Sequence, residues 1–221
     1  SSDKWGDVEK LIESNILFLS KLLNTVSKLN LDLFINTGTF AEYFKGDDDF
    51  NPAYFYAATK TASRSILNYY ANAYNFKQST VVPYTIYGGN DSSKKIIDLI
   101  FESTKTEKKL ELSPGEQVLD FIHIDDVVSF YQHLIKHKKK IPNKINFKLG
   151  TGIGHNLQQV SSIIESVTNK KTNINWGGKE YRQSDVMYAV ANLHEIKDKL
   201  TWKPKISITE GIMKTINNRI L

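Results

Sequence analysis

Two side chains four residues apart carry the clearest chemistry in this sequence: Tyr56 and Lys60, within Tyr56-Ala57-Ala58-Thr59-Lys60. On a helix a spacing of four returns to nearly the same face, so a phenol and an ammonium can converge on one pocket. A neighbouring cation favours tyrosinate and draws a Tyr pKa toward the working range of a general acid/base. In a chain with 11 Tyr the spacing alone says little. What gives it weight is where the surrounding elements place it.

Residues 7–29 carry Val8, Leu11, Ile12, Ile16, Leu19, Leu22, Leu23 and Val26 at a period of 3.6, which predicts a long helix. Residues 31–36 read as a short strand that Thr37-Gly38-Thr39 ends. Pro52 marks the start of a helix over about Tyr54 to Phe76, and Ser79 to Tyr87 is a β-branched run stopped by Gly88-Gly89-Asn90-Asp91. Helix, strand, helix, strand in this order is the grammar of a parallel sheet with crossovers, whose ligands bind beyond the carboxyl ends of the strands. Tyr56 and Lys60 stand between two such ends.

Further along, a helix is expected from Ile96 to Phe101, short strands at Leu110 to Leu112, Phe121 to Ile124 and Ile145 to Leu149, and a helix near Leu157 to Val167. Asp125 is placed as the N-cap of a helix running to about His137. No repeat of fixed period and no low-complexity linker divides the chain.

Composition narrows the function classes. The 221 residues are 40% hydrophobic and 24% charged, the balance of a globular protein with a real core, so disorder as the main state is ruled out. Zero Cys excludes a disulfide scaffold, a thiol nucleophile and a Cys-ligated cluster, and suits a cytoplasmic setting. The longest apolar runs, such as Ile16-Leu17-Phe18-Leu19, are too short to cross a bilayer, and from Ser1-Ser2-Asp3-Lys4-Trp5 no signal peptide is expected. Neither a membrane nor a nucleic-acid partner is expected. The net charge of +5 is modest, and the runs Lys105, Lys108, Lys109 and Lys136 to Lys144 lack interleaved aromatics. No metal is expected either. Asp47-Asp48-Asp49 lacks the alternation of a calcium loop, and His133 and His137 have helical spacing but no third ligand. His123, inside an apolar run, reads as a buried histidine rather than a base.

Six segments in register span nearly the whole chain: Phe34-Ile35-Asn36-Thr37-Gly38-Thr39, Tyr56-x-x-x-Lys60, Ile86-Tyr87-Gly88, Asp120-Phe121-Ile122-His123-Ile124-Asp125-Asp126-Val127, Leu149-Gly150-Thr151-Gly152, and Trp202-Lys203-Pro204-Lys205 with Glu210-Gly211. Together they resemble the extended short-chain dehydrogenase/reductases of the NAD-dependent epimerase/dehydratase kind, most closely the nucleotide-sugar 4-reductases and 4-epimerases. The resemblance implies an α/β, Rossmann-like doubly wound parallel sheet. Residues 1–90 would be the remaining part of the catalytic domain. Residues 91–221 would be mainly a nucleotide-sugar subdomain, with some segments returning to the sheet.

By the same resemblance Thr37, Tyr56 and Lys60 are catalytic, with Tyr56 and Thr37 on the sugar C4 oxygen and Lys60 on the nicotinamide ribose. Asn36, Tyr84, Thr85 and Ile86, with Tyr56 and Lys60, would border the cofactor, NAD or NADP. Thr37, Thr39, Arg182 and Asp185 would meet the substrate, a CDP-, UDP- or dTDP-linked sugar, Arg182 on its pyrophosphate. A surface ion pair with Asp185 is the other reading of Arg182. Asn15 sits where the family has an Asn in the preceding helix. Gly38-Thr39 replaces the Asp-Glu pair of the 4,6-dehydratases, which disfavours dehydration. A homodimer through the opening helix and the Tyr56 helix is implied as well.

One part of the family pattern is not found. A strand, a Gly-x-x-Gly-x-x-Gly turn and a helix normally receive the dinucleotide pyrophosphate, and nothing like them precedes Thr37. On the order of 80 residues, one βαβαβ half, are expected to be missing. Gly150-x-Gly-x-Gly154 follows a strand and precedes a helix, but it lies in the substrate-side half and no acidic residue ends a second strand about 20 residues later, so it reads as a structural turn and not as a substitute. The function implied is nucleotide-sugar modification at C4. The alternative is a non-catalytic protein that binds a nucleotide-sugar or a partner on the same scaffold without cofactor.

Overall fold

A computed structural model describes residues 5–44, 49–89 and 94–220. Two compact units divide the chain: the first holds residues 1–83, 133–149 and 193–201, the second residues 84–132, 150–192 and 202–221.

The chain opens with α1 (Trp5–Ile12), a π-helical turn over Glu13–Leu17 and α2 (Phe18–Val26), so the long predicted helix forms with an irregular middle. Strand β1 (Leu33–Thr37) follows, then a 3-10 turn at Phe40–Glu42, α3 (Phe55–Ala73) and β2 (Lys77–Pro83). β3 (Thr85–Tyr87), α4 (Ile96–Ser103), β4 (Leu110–Leu112), β5 (Val118–His123) and α5 (Ile124–Lys136) come next. The remainder is β6 (Ile145–Leu149), β7 (Gly154–His155), α6 (Leu157–Thr168), β8 (Ile174–Trp176), β9 (Tyr188–Ala189), α7 (His194–Leu200) and α8 (Ile208–Ile220).

In the first unit the sheet order is β1-β2-β6, every pair parallel, with Thr37 opposite Val81 and Val82 opposite Lys148. β2 is buried from Gln78 to Pro83, as a strand covered on both faces must be. Helices α2 and α3 bury Leu19, Leu23, Leu67 and Ala71 with Phe76 against Phe34. This βαβ unit, β1-α3-β2, is what carries Tyr56 and Lys60 to a strand end.

In the second unit β3 and β5 pair in parallel, β5 pairs antiparallel with β7 and parallel with β9, and β4 pairs with β8. Its core joins Tyr87, Ile97, Ile100, Phe121, Val160, Ile164 and Ile212. The parallel pairings and covering helices make this an α/β, Rossmann-like fold.

Two local expectations are corrected. Ser79 to Tyr87 is not one strand: Tyr84 interrupts it, and the residues after it pair with β5 instead of continuing beside β1 and β6. Asp125 is not an N-cap, because α5 already starts at Ile124. The ring of buried His123 takes the capping part, its Nδ1 accepting the Asp125 N–H at 3.2 Å.

Candidate active site

Thr37 closes β1 with its side chain exposed, and the sheet turns it out at the carboxyl end, where the ladder with β2 stops. Gly38 still donates its N–H to Val81 O at 2.8 Å, and Thr39 then caps the 3-10 turn, its Oγ1 accepting from Ala41 N at 3.3 Å. Thr39 is thereby buried and occupied with the backbone.

Helix α3 begins one residue before Tyr56, after an extended Tyr54. The Tyr54 and Tyr56 rings stack at 6.3 Å, and Lys60 Nζ lies over the Tyr56 ring, 5.9 Å from its centroid. Lys60 Nζ also donates to Thr37 O at 3.2 Å, which ties the helix to the strand end. Behind them, Asn15 Nδ2 donates to Thr59 Oγ1 at 2.9 Å, and Thr59 Oγ1 donates to Tyr56 O at 2.8 Å. Asn15 sits within the π-helical turn, a feature frequent at functional sites.

The electrostatics differ from the sequence expectation. Burial pushes the Tyr56 phenol above its ordinary value, and Tyr54 and then Glu42 push it further the same way. The Lys60 cation does not draw it down, because that ammonium faces the ring and the Thr37 carbonyl. Lys60 itself is held below its ordinary value by burial, with Glu42 acting in the opposite direction.

Glu42 and Arg64 were not singled out from sequence, yet they form the buried ion pair of this region. Arg64 Nε and Nη2 donate to Glu42 Oε2 at 2.7 Å and Oε1 at 3.0 Å. The local signal was the capping-box spelling Thr39-Phe40-Ala41-Glu42, in which Glu42 Oε1 accepts from Thr39 N at 2.7 Å.

Asn36, Thr37, Thr39, Tyr56 and Lys60 therefore gather at one strand end of the first unit. Asn36 is buried there, and its Nδ2 has no hydrogen-bond partner among the described residues. The other predicted site residues belong to the second unit. Tyr84 precedes β3, Thr85 and Ile86 pair with Phe121 and Ile122, and Thr85 Oγ1 is buried without a partner among the described residues. Arg182 and Asp185 form a turn in which Asp185 Oδ2 accepts the Arg182 N–H at 2.9 Å. The contact between them is thus a backbone cap, and no ion pair of the guanidinium with Asp185 is present.

Tyr56, Lys60 and the orphaned Asn36 amide fit the nicotinamide-ribose end of a dinucleotide, where a phenol, a cation and a donor are useful. Gly150-x-Gly-x-Gly154 does not fit the pyrophosphate. A Cβ on Gly150 would strike Asp120 and come 2.6 Å from Ala191 Cβ, and one on Gly154 would come 2.5 Å from Val118 Cγ1. These glycines are required by packing, and the turn's N–H groups at Thr151 and Gly152 are already bound to Asp120 at 2.8 Å each.

Other candidates resolve similarly. His133 and His137 stack at 4.1 Å, with His133 Nε2 on Leu200 O at 2.7 Å, and no cluster of metal-binding type occurs among the described residues. Asp47 and Asp48 lie outside the described residues. Among the described residues no helix is long and apolar enough to cross a membrane.

Comparison with known proteins bears on the family and the fold. The model of the NAD dependent epimerase/dehydratase family matches residues 1–150. The CDP-abequose synthase of Salmonella typhimurium is 29% identical over 212 residues, spanning 95% of this chain and 70% of the relative. That of Yersinia pseudotuberculosis is 30% identical over 210 residues, spanning 92% and 71%. Among solved structures, the UDP-glucose 4-epimerase of Thermotoga maritima superposes with a TM-score of 0.82 at 21% identity, over 94% of this chain and 70% of that one. A UDP-glucuronic acid 4-epimerase from Bacillus cereus, solved with UDP-glucuronic acid and NAD, gives 0.86 at 18% identity over 95% and 69%. The structural likenesses establish the fold. With a family model matching two-thirds of its length and a relative at 30% identity, the chain belongs to the NAD-dependent epimerase/dehydratase family.

Proposed function

We propose that this protein is an NAD(P)-dependent enzyme that modifies a nucleotide-sugar at C4, with Thr37, Tyr56 and Lys60 as its reacting group. The observation that carries this reading is the placement of Tyr56 and Lys60 one turn apart on α3, with Lys60 Nζ on the carbonyl of Thr37 at the carboxyl end of β1. The relatives named CDP-abequose synthase and the solved nucleotide-sugar epimerases support the substrate class.

A reduced nicotinamide, when bound, supplies hydride to a carbonyl carbon. The chain's part is the proton and the placement. Tyr56, a phenol whose protonated form burial favours further, gives its phenolic proton to the C4 oxygen as the ketone becomes an alcohol. Thr37 shares a hydrogen bond with that oxygen, and Lys60 holds the ribose. With Tyr56 as donor the step is 4-keto reduction, and epimerisation uses the same proton transfer in both directions. Arg182, whose side chain is left exposed by the turn with Asp185, is assigned to the substrate pyrophosphate.

The test is turnover of 4-keto nucleotide-sugars linked to CDP, UDP or dTDP by the full-length protein with NADH or NADPH. Tyr56→Phe is expected to lower kcat by about 10²–10⁴-fold while leaving substrate affinity within a few-fold. A Tyr56→Phe protein that turns over as fast as wild type would remove Tyr56 as the proton donor, and a wild type that binds the nucleotide-sugar without turning it over would make this a binding protein instead. A homodimer belongs to the same reading, supported by the exposure of Leu17, Phe18 and Tyr69 on the opening helices and α3. Sedimentation that stays monomeric at high concentration would remove it.

A further inference from the structure

The ion pair between Glu42 and Arg64 joins three elements of the first unit. Glu42 is completely buried, and it accepts from Thr39 N in the turn after β1 and from Arg64 Nε and Nη2 on α3. Arg64 Nη1 continues to Asn146 Oδ1 on β6 at 2.8 Å. A buried ion pair commonly adds little net stability over an apolar pair of equal volume. Cohesion alone therefore gives a weak account of why these charges stand here.

Geometry gives a stronger one. On α3, Tyr56, Lys60 and Arg64 recur every four residues along one face. Lys60 reaches Thr37 O across the gap between helix and strand end, and Arg64 closes the same gap one turn further along. Gly38 lies flat on the pair: a Cβ there would come 2.5 Å from Glu42 Oε1 and 2.6 Å from Arg64 Nη2. The residue preceding Gly38 is Thr37.

We infer that the Glu42–Arg64 pair is the positioning device of the C4 site, fixing the separation between the strand end that carries Thr37 and the helix that carries Tyr56 and Lys60. The inference rests on the functional reading above. Glu42 also acts through its charge, raising both Tyr56 and Lys60. The other groups facing Tyr56 are the Tyr54 ring and the Lys60 ammonium. Facing the pair are the Phe50 ring, 5.2 Å from the guanidinium, and Tyr43, itself beneath Lys148 of β6 at 5.5 Å.

Two variants of the full-length protein separate positioning from mere stabilisation, with kcat and KM followed across pH on a 4-keto CDP-sugar and NADPH or NADH. Arg64→Lys keeps the charge but loses the fork and the bond to Asn146. It should lower kcat by about 10–100-fold with KM little changed and the pH limb unmoved. Glu42→Gln keeps the shape but removes the charge, and should move that limb to lower pH. If both variants only melt earlier, with kcat and the limb as in wild type below the melting transition, the inference is overturned.

Should either variant fail to fold, Gly38→Ala takes its place. It must lower kcat while melting within a few degrees of wild type, and an unchanged kcat overturns the inference. If wild type turns over no substrate, the functional reading fails by itself. The pair is then read through Tyr56 ionisation, as the tyrosinate absorbance difference between wild type and Tyr56→Phe. Glu42→Gln must shift that difference to lower pH, and an unshifted titration overturns the inference.

Discussion

Replacing Asp120 by Asn should destabilise the protein far more than the loss of one charge suggests. The carboxylate is fully buried and serves four donors: Thr151 N at 2.8 Å and Thr151 Oγ1 at 2.6 Å on Oδ1, Gly152 N at 2.8 Å and Ala191 N at 3.2 Å on Oδ2. An amide keeps one oxygen and turns an NH2 group toward two of these donors. Gly152 is exposed and its N–H can turn to water, so one buried N–H, that of Ala191, is left unpaired at about 1–3 kcal/mol, a loss of about 2 kcal/mol. For a chain of this size that corresponds to a fall of roughly 6 °C in melting temperature. Asp120→Ala, which strips all four donors of their acceptor and opens a cavity, should cost more. Urea unfolding followed by tryptophan fluorescence and by circular dichroism measures both. An Asn variant within about 1 kcal/mol of wild type would refute the view that this carboxylate organises the Gly150–Gly154 turn.

Burial holds His123 neutral, its pKa lowered from 6.5, so stability present above pH 6.5 is lost as pH falls through the lowered value. His123→Gln should flatten the decline of melting temperature between pH 7 and 5, and equal slopes would contradict the assignment. Tyr54 and Tyr56 are raised by burial, so the stability they contribute below pH 10 is lost as pH rises through their raised values. Tyr56→Phe should show a smaller alkaline loss in the same scans. For Lys60 the sign is reversed, since the cost of burying its charge is present at neutral pH and relieved toward pH 10.5. Lys60→Met should therefore melt no lower than wild type at pH 7 while kcat falls by about 100-fold or more.

Local order was legible in the sequence wherever one period or one spacing decided it. The 3.6-residue pattern located α1, α2 and α3 to within a few residues, and the four-residue spacing put Tyr56 and Lys60 on one face. What depends on partners distant in the chain was not legible. The β-branched run through Tyr84 has the propensity of one strand, and only pairing with β6 on one side of the break and β5 on the other divides it. Glu42 and Arg64 are 22 residues apart, and no periodicity links a turn to the middle of a helix. The Tyr56 electrostatics failed for a related reason: spacing brings the ammonium near the ring, but the Thr37 carbonyl decides where it points. Short α7 was missed because seven residues hold too few turns to show a period.

The π-helical turn at Glu13–Leu17 has a consequence for how this protein can change in length. Such a turn holds one residue more than an α-helix would over the same rise, and it has the geometry of a single-residue insertion that the helix absorbed without breaking. Losing one residue there would restore an uninterrupted helix with its flanking turns nearly in register, and would re-aim the side chains within the turn itself, Asn15 among them. The bond from Asn15 to Thr59, which braces the second turn of α3, would be the first casualty. Single-residue gaps should therefore be rare in this stretch among proteins that keep the brace, and an Asn lost together with such a gap would mark a lineage that holds its tyrosine helix in another way.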